Sequence, residues 1–170
     1  MVDFSFVKAN NFKRKIRIFS LFCIFALLFH LGYSWSEISG NSMYPTFKNG
    51  QKILIDEWTY KFFLPEKNEV VILGDPDEEG DELVKRVVAV SGEKVQIKFG
   101  KIFVNDEEVK DNFSDVRIIY YLDEEMTLFF NENEGEFKVP KGYVWVIGDN
   151  RESSWYGLVL IKDIHGRVIF

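Results

Sequence analysis

Between Arg17 and Glu37 the chain carries no Asp, Glu, Lys or Arg; it reads IFSLFCIFALLFHLGYSWS. At about 1.5 Å of rise per residue, roughly 19 or 20 residues cross a hydrocarbon core about 30 Å thick. The run is apolar all round, which weighs against a buried helix of a soluble protein. A cleavable leader would have a shorter apolar core and small residues before a cut, and Tyr33, Ser34 and Trp35 make a poor site of that kind. A buried helix of a soluble protein is the other alternative, and length and flanks favour a transmembrane helix over 18–36. Tyr33 and Trp35 stand at one end, where amphipathic aromatics prefer the membrane interface. Lys8, Lys13, Arg14, Lys15 and Arg17 face only Asp3 in the segment before the run. Such a basic flank predicts a cytoplasmic N-terminus over 1–17 and an extracytoplasmic body over 37–170.

That body has the length of one modest domain. The net charge of the chain is −6, and no basic face marks a nucleic-acid binder. Cys23 is the single cysteine, so no internal disulfide can form, and inside the apolar run it serves as a small hydrophobe. Past residue 50 the signals are strands: KILI, EVVIL, LVKRVVAV, KVQIKF, IFVNDEEV, YVWVIGD and GRVIF, each bounded by polar or turn residues. The expected fold is therefore mainly β, tethered by one N-terminal helix. An acidic, mixed stretch predicts a hairpin excursion outside the core at about 98–138. DEWTYKFFL reads as a short helix or an aromatic loop. Its Trp58, Tyr60, Phe62 and Phe63 have two readings, core packing or a surface that dips into the membrane interface.

The strand LVKRVVAV carries two cations in apolar surroundings. Strand residues alternate faces, so Leu83, Lys85, Val87 and Ala89 share one face and Val84, Arg86, Val88 and Val90 the other. A lysine on an edge strand guards against aggregation. A lysine held on a buried face loses its proton more readily, because desolvation disfavours the ammonium form, and a neutral amine serves as a general base. Arg86 stays charged and needs a carboxylate, for which Asp149 is a candidate. Of the two histidines, His30 lies in the apolar run, so a Ser-His-Asp arrangement would have to use His165. No His, Cys, Asp and Glu spacing fits a metal site, no glycine loop fits a phosphate, and no cofactor is implied. A serine activated by a lysine remains, with Ser42 in ISGNSMYPTFKNG just past the apolar run.

Three blocks carry a resemblance to the type I signal peptidases, membrane-anchored Ser-Lys proteases that remove signal peptides from exported proteins. GNSMYPT (40–46) is similar to the block of the nucleophile, which places that role on Ser42. ELVKRVVAVSGEKV (82–95) is similar to the block of the general base, which places that role on Lys85. VIGDNRESS (146–154) is similar to the family's Gly-Asp-Asn-Arg block. The resemblance implies a β-rich catalytic domain with an apolar surface near the bilayer and an acyl-enzyme mechanism. It implies an oxyanion donor from the Ser42 backbone, with support at Gly40, and turn-shaping roles for Met43 and Pro45. Arg86, Asp149, Asn150 and Arg151 become scaffold residues, where the residues alone also allow a simple turn. Relatives follow this block with Asp-Ser-Arg, which is absent here, so either Ser154 or Ser153 is left to orient Lys85. The implied partners are preprotein signal peptides, membrane lipid and the secretion machinery, with no nucleic acid. The implied location is a bacterial cell (inner) membrane, crossed once. A processing peptidase for pilin or conjugation proteins, and a catalytically impaired homologue acting as an assembly factor, are the alternatives.

Overall fold

The computed structural model describes residues 4–74, 81–98, 101–110, 136–152, 154 and 156–169, without the side chains of 4–12, 25 and 28–31. A single helix, α1 (Phe4–Gly32), opens the chain, and eleven strands follow among the described residues. The described apolar side chains along α1, among them Ile18, Phe19, Leu21, Phe22, Ile24 and Leu27, are exposed. Among the described residues, no helix is long and apolar enough to cross a membrane. The span expected at 18–36 includes the side chains at 25 and 28–31, which lie outside the described set.

The helix also ends earlier than the sequence suggests. Residues 33–36, expected in the span, belong to β1 (Tyr33–Glu37), which pairs antiparallel with β2 (Lys52–Asp56). Tyr33, Trp35 and Glu37 alternate with Ser34 and Ser36, a period-two pattern that suits an edge strand.

A seven-stranded sheet runs in the order β1-β2-β11-β3-β4-β9-β10. Its remaining members are β3 (Val70–Gly74), β4 (Glu82–Val90), β9 (Tyr143–Ile147), β10 (Tyr156–Leu160) and β11 (Ile164–Ile169). A second sheet runs β7-β6-β5-β8, from β5 (Lys94–Lys98), β6 (Lys101–Val104), β7 (Glu107–Glu108) and β8 (Glu136–Lys138). The fold is mainly β. Near both ends of the expected excursion the chain reaches the core: Ile102, Val104 and Phe137 are buried with Val139, Trp145 and Tyr156. Alternation along β6 turns Ile102 and Val104 inward, so the expected excursion at about 98–138 starts from inside the core. Residues 111–135 lie outside the described set.

Two further apolar clusters flank the large sheet. Ile38, Met43 and Phe47 pack with Ile53, Ile55, Val70, Ile72 and Val168. Val71, Leu73 and Val87 pack with Val144, Val146, Val159 and Ile164. The register of β4 shifts between Val87 and Ala89. Val88 and Ala89 consequently enter the same cluster, and the strict two-face alternation expected for this strand stops at Val87. DEWTYKFFL forms a 3-10 turn (Thr59–Lys61) and divides between its two readings. Tyr60 packs against a core cluster, whereas Phe62, Phe63 and Leu64 are 73%, 69% and 72% exposed.

Candidate active site

The loop between β1 and β2 carries Ser42. It is seated from beneath by Met43 and Phe47, both buried in the cluster under β2 and β3. Gly40 sits at φ +85, a left-handed conformation that costs a glycine little. Its N–H donates to Asn49 Oδ1 at 2.9 Å, which ties the turn together. The Ser42 N–H meets no acceptor among the described residues. Pro45 is exposed and Met43 buried, so of the two only Met43 packs beneath the serine.

β4 presents Lys85 to this loop. Lys85 Nζ lies 3.3 Å from Ser42 Oγ, and the residue is 2% exposed. The edge-strand reading of Lys85 fails, because β4 lies between β3 and β9 and its centre is covered. Arg86, the next residue, grips Asp149 with two bonds, Nε to Oδ1 at 2.7 Å and Nη2 to Oδ2 at 2.6 Å. Its Nη1 donates to Asn68 O at 2.8 Å. Paired geometry of this kind suits a guanidinium and a carboxylate.

The turn after β9 closes the Ser42 loop from the other side. Asn150 N donates to Ser42 O at 2.9 Å, and Asn150 Nδ2 to Asn41 O at 3.1 Å. Asp149 accepts from Thr46 Oγ1 at 2.5 Å, so one carboxylate links the serine loop to the lysine strand. Arg151 is buried and donates to Gly148 O at 3.1 Å. A Cβ on Gly148 would overlap both Ser42 O and Ser154 Oγ, which places Ser154 against the backbone of the serine loop. Ser153 lies outside the described residues.

The sequence reading missed Thr46, Asn41 and Gly148. A threonine four residues past the serine gives no local signal of its carboxylate partner far along the chain. A glycine before Asp149 is legible only as a turn residue until its neighbours are known.

Ser42 and Met43 open on a cavity of about 690 Å³, also lined by Ser36, Ile38, Ile53 and Val84. His165 borders the same cavity, but its Nδ1 lies 3.0 Å from Glu82 Oε1. The structure therefore brings Ser42 to Lys85 and occupies His165 elsewhere. Over 82–84 only the β3 side of β4 is paired, because pairing with β9 begins at Arg86. An extended peptide fits such a half-open edge as an added strand. Among the described residues, no group of His, Cys, Asp and Glu is placed to hold a metal.

A β-sheet that sets a hydroxyl against a buried amine at the head of a cleft is an arrangement in which a lysine can serve as base for a serine. The chain belongs to the signal peptidase family, peptidase S26, whose model matches residues 12–170. It is 33% identical to thylakoidal processing peptidase 1, chloroplastic, of Arabidopsis thaliana over 148 residues, 79% of this chain and 40% of that one. It thus spans less than half of that plastid relative. It is 31% identical to signal peptidase IB of Staphylococcus aureus over 166 residues, 90% of this chain and 86% of that one. Signal peptidase I of Bacillus caldolyticus is 29% identical over 154 residues, 87% and 84% of the two chains. A crystal structure of a signal peptidase I from Enterococcus faecalis V583 aligns with a TM-score of 0.47 at 19% identity, covering 62% of this chain and 97% of that one.

Proposed function

We propose that this chain is a membrane-bound serine endopeptidase that removes N-terminal signal peptides from exported preproteins. The observation that carries the reading is the Ser42–Lys85 contact at 3.3 Å with the lysine buried. In this reading neutral Lys85 takes the proton of Ser42 Oγ, and Oγ attacks the scissile carbonyl. The oxyanion is met by the Ser42 N–H. Collapse of the tetrahedral intermediate passes the proton from Lys85 to the departing amine and leaves an acyl-enzyme. Lys85 then draws a proton from water as its oxygen attacks the acyl carbonyl, and passes that proton to Ser42 Oγ as the ester bond breaks, which releases the signal peptide with a free carboxyl end and restores the serine. Ser154, packed against Gly148, is assigned to orient the lysine. Asp149, Arg86, Asn150 and Thr46 hold the two reacting segments in register.

The substrate strand lies along 82–84 of β4, with its small residues before the cut in the cavity beside Ser42. The apolar part of α1, up to Gly32, anchors the chain in the membrane, with the basic N-terminus in the cytoplasm. Supporting this is a helix whose described apolar residues have no protein cover. The apolar tip at 62–64 rests in the interface, supported by its exposure. The catalytic domain then faces outward from a bacterial cell membrane, in reach of preproteins leaving the secretion machinery. Ser42 lies about seven residues past Trp35, hence within roughly 25 Å of the bilayer surface. The buried Ser42–Lys85 contact favours this reading over an inactive assembly factor.

The test is cleavage of a preprotein by the purified full chain in detergent. Ser42→Ala and Lys85→Ala are each expected to abolish it. Burial disfavours a charged amine, so the rate is expected to rise with a group titrating below the roughly 10.4 of a free lysine. Full activity in the lysine variant would overturn the dyad.

A further inference from the structure

The helix enters the catalytic domain without a linker. α1 ends at Gly32 and β1 begins at Tyr33. Gly32 is buried, in contrast to the described side chains of the helix before it, which are exposed. A Cβ at Gly32 would lie 2.8 Å from both Cδ1 and Nε1 of Trp58, and 3.0 Å from Cε2. The indole therefore rests on a bare Cα, and any side chain there would push the ring away. Two hydrogen bonds lock the same joint. Glu57 N donates to Gly32 O at 3.0 Å, and Ser34 Oγ donates to Glu57 Oε1 at 2.5 Å.

The receiving segment is itself fixed to the sheet. Asp56, at the end of β2, accepts from the N–H groups of Trp58 and Thr59 at 2.9 and 3.0 Å. Arg167 on β11 donates to the same carboxylate at 3.2 Å. A few residues past Trp58 the chain displays Phe62, Phe63 and Leu64 to the outside. One seat thus joins three features: the end of the apolar helix, the apolar tip, and the strand that leads to Ser42.

We propose that the Gly32–Trp58 seat is a positioning device that fixes the angle between the helix and the apolar tip, and so the height of Ser42 above the bilayer. The inference rests on the membrane-bound peptidase reading. With both elements embedded, a rigid joint holds the cleft at one depth. A substrate tethered in the same membrane then presents only the peptide bond at that depth. A flexible joint would sample a range of depths and blur the choice. Small changes of placement at a reacting centre have large effects on rate.

The experiment uses the full chain in vesicles of phosphatidylethanolamine and phosphatidylglycerol. Its substrate is a membrane-anchored preprotein with two identical cut sequences at different distances from its apolar segment. A short soluble peptide with the same cut sequence, in detergent, reports chemistry alone. Wild type is expected to prefer one of the two tethered sites by roughly tenfold or more. Gly32→Leu, Trp58→Ala and a short Gly-Ser insertion after Gly32 should each bring the ratio towards one. Their kcat/KM on the soluble peptide should stay within about twofold of wild type, as distant sites act independently. Trp58→Phe keeps a flat ring on the glycine and should retain the preference, which guards against a variant that simply fails to fold. An unchanged ratio in the three disruptive variants, or no preference in wild type, overturns the inference. Parallel loss on both substrates overturns it too, since that marks general destabilisation. Absence of any cleavage by wild type would instead sink the peptidase reading.

Discussion

Asp149 and Asp56 are both buried, and each accepts a threonine hydroxyl at 2.5 Å and an arginine. Their partners come from different places. Thr46 and Arg86 reach Asp149 across sequence separations of 103 and 63 residues. Asp56 draws mostly on Trp58 and Thr59, two and three residues on, and its distant partner Arg167 stands at 3.2 Å. One carboxylate joins three separate segments around Ser42; the other caps a single turn and is only steadied by the sheet. Arg167 is shared besides, since its Nη1 donates to Glu69 Oε1 at 3.0 Å, and Glu69 also accepts from Tyr60 at 2.9 Å. A long-range clamp cannot be replaced by local structure, whereas a cap leaves the turn's backbone intact when it is lost.

The largest expected effect follows from breaking the clamp. Asp149→Ala leaves Arg86 facing a vacated, desolvated site, and removing one member of a buried pair costs about 3–5 kcal/mol. The urea midpoint should fall accordingly, and preprotein cleavage should fall further, because Ser42 and Lys85 lose their common tether. Replacing both partners with apolar residues, Arg86→Met with Asp149→Leu, should recover part of the stability and little of the activity. If Asp149→Ala proved no more costly than Asp56→Ala, the distinction between clamp and cap would fail.

The middle effect belongs to the cap. Asp56→Ala removes the acceptor of two turn N–H groups, a loss of about 1–2 kcal/mol by thermal or urea unfolding. The pH dependence sharpens the point. Burial pushes the Asp56 carboxyl up, but the Thr59 hydroxyl, the Trp58 and Thr59 N–H groups and the Arg167 charge together hold it below its ordinary value. Glu69 is likewise lowered: burial works against it, and the Glu66 N–H, Arg167 and Tyr60 outweigh that. Both groups have folded values below their unfolded ones of about 3.9 and 4.3. Their stabilisation is therefore present above those values and lost as pH falls through the lowered ones. Acid unfolding of Asp56→Asn should accordingly begin from lower stability and show a shallower slope. Tyr60 shifts upward, from burial first and then from its bond to Glu69. Its contribution is full below about 10 and lost as pH rises beyond that, so Tyr60→Phe should flatten the alkaline limb.

These two clusters also mark what a sequence can disclose. The strands KILI, EVVIL and YVWVI were legible because β-branched and aromatic runs between polar residues suit a pleated surface. YSWSE was hidden by continuity with the apolar run, since nothing local says where a helix yields to an edge strand. The Arg86–Asp149 pair was legible from need alone: a guanidinium on a covered strand requires a carboxylate. Thr46, by contrast, needs nothing, because a threonine is content in a loop. The same holds for Gly148, whose role is the absence of a side chain where Ser154 and the serine loop meet. The cap at Asp56 had a local signature, an Asp three residues before a Thr, yet DEWTYKFFL also fits a loop. Long-range position comes from the sheet order, and the order β11-β3-β4 is not written in any one segment.

The smallest expected effect lies at the cavity rim and separates two chemistries. His165 and Glu82 lie 3.0 Å apart with side chains 52% and 47% exposed. Exposed pairs of this kind contribute about 0–1 kcal/mol, because water screens the attraction and two side chains lose freedom. His165→Gln and Glu82→Gln should therefore leave the melting temperature nearly unchanged. Cleavage carries the sharper information. A general base contributes about 10²–10⁴-fold to rate, so a histidine acting as base would reveal itself by a loss of that order in His165→Gln. With Lys85 Nζ at 3.3 Å from Ser42 Oγ and the histidine bonded to Glu82, the expected change in kcat/KM is instead small. A hundredfold loss would move the base from β4 to β11. The Arg86–Asp149 clamp would then no longer be the structure that holds the reacting pair together.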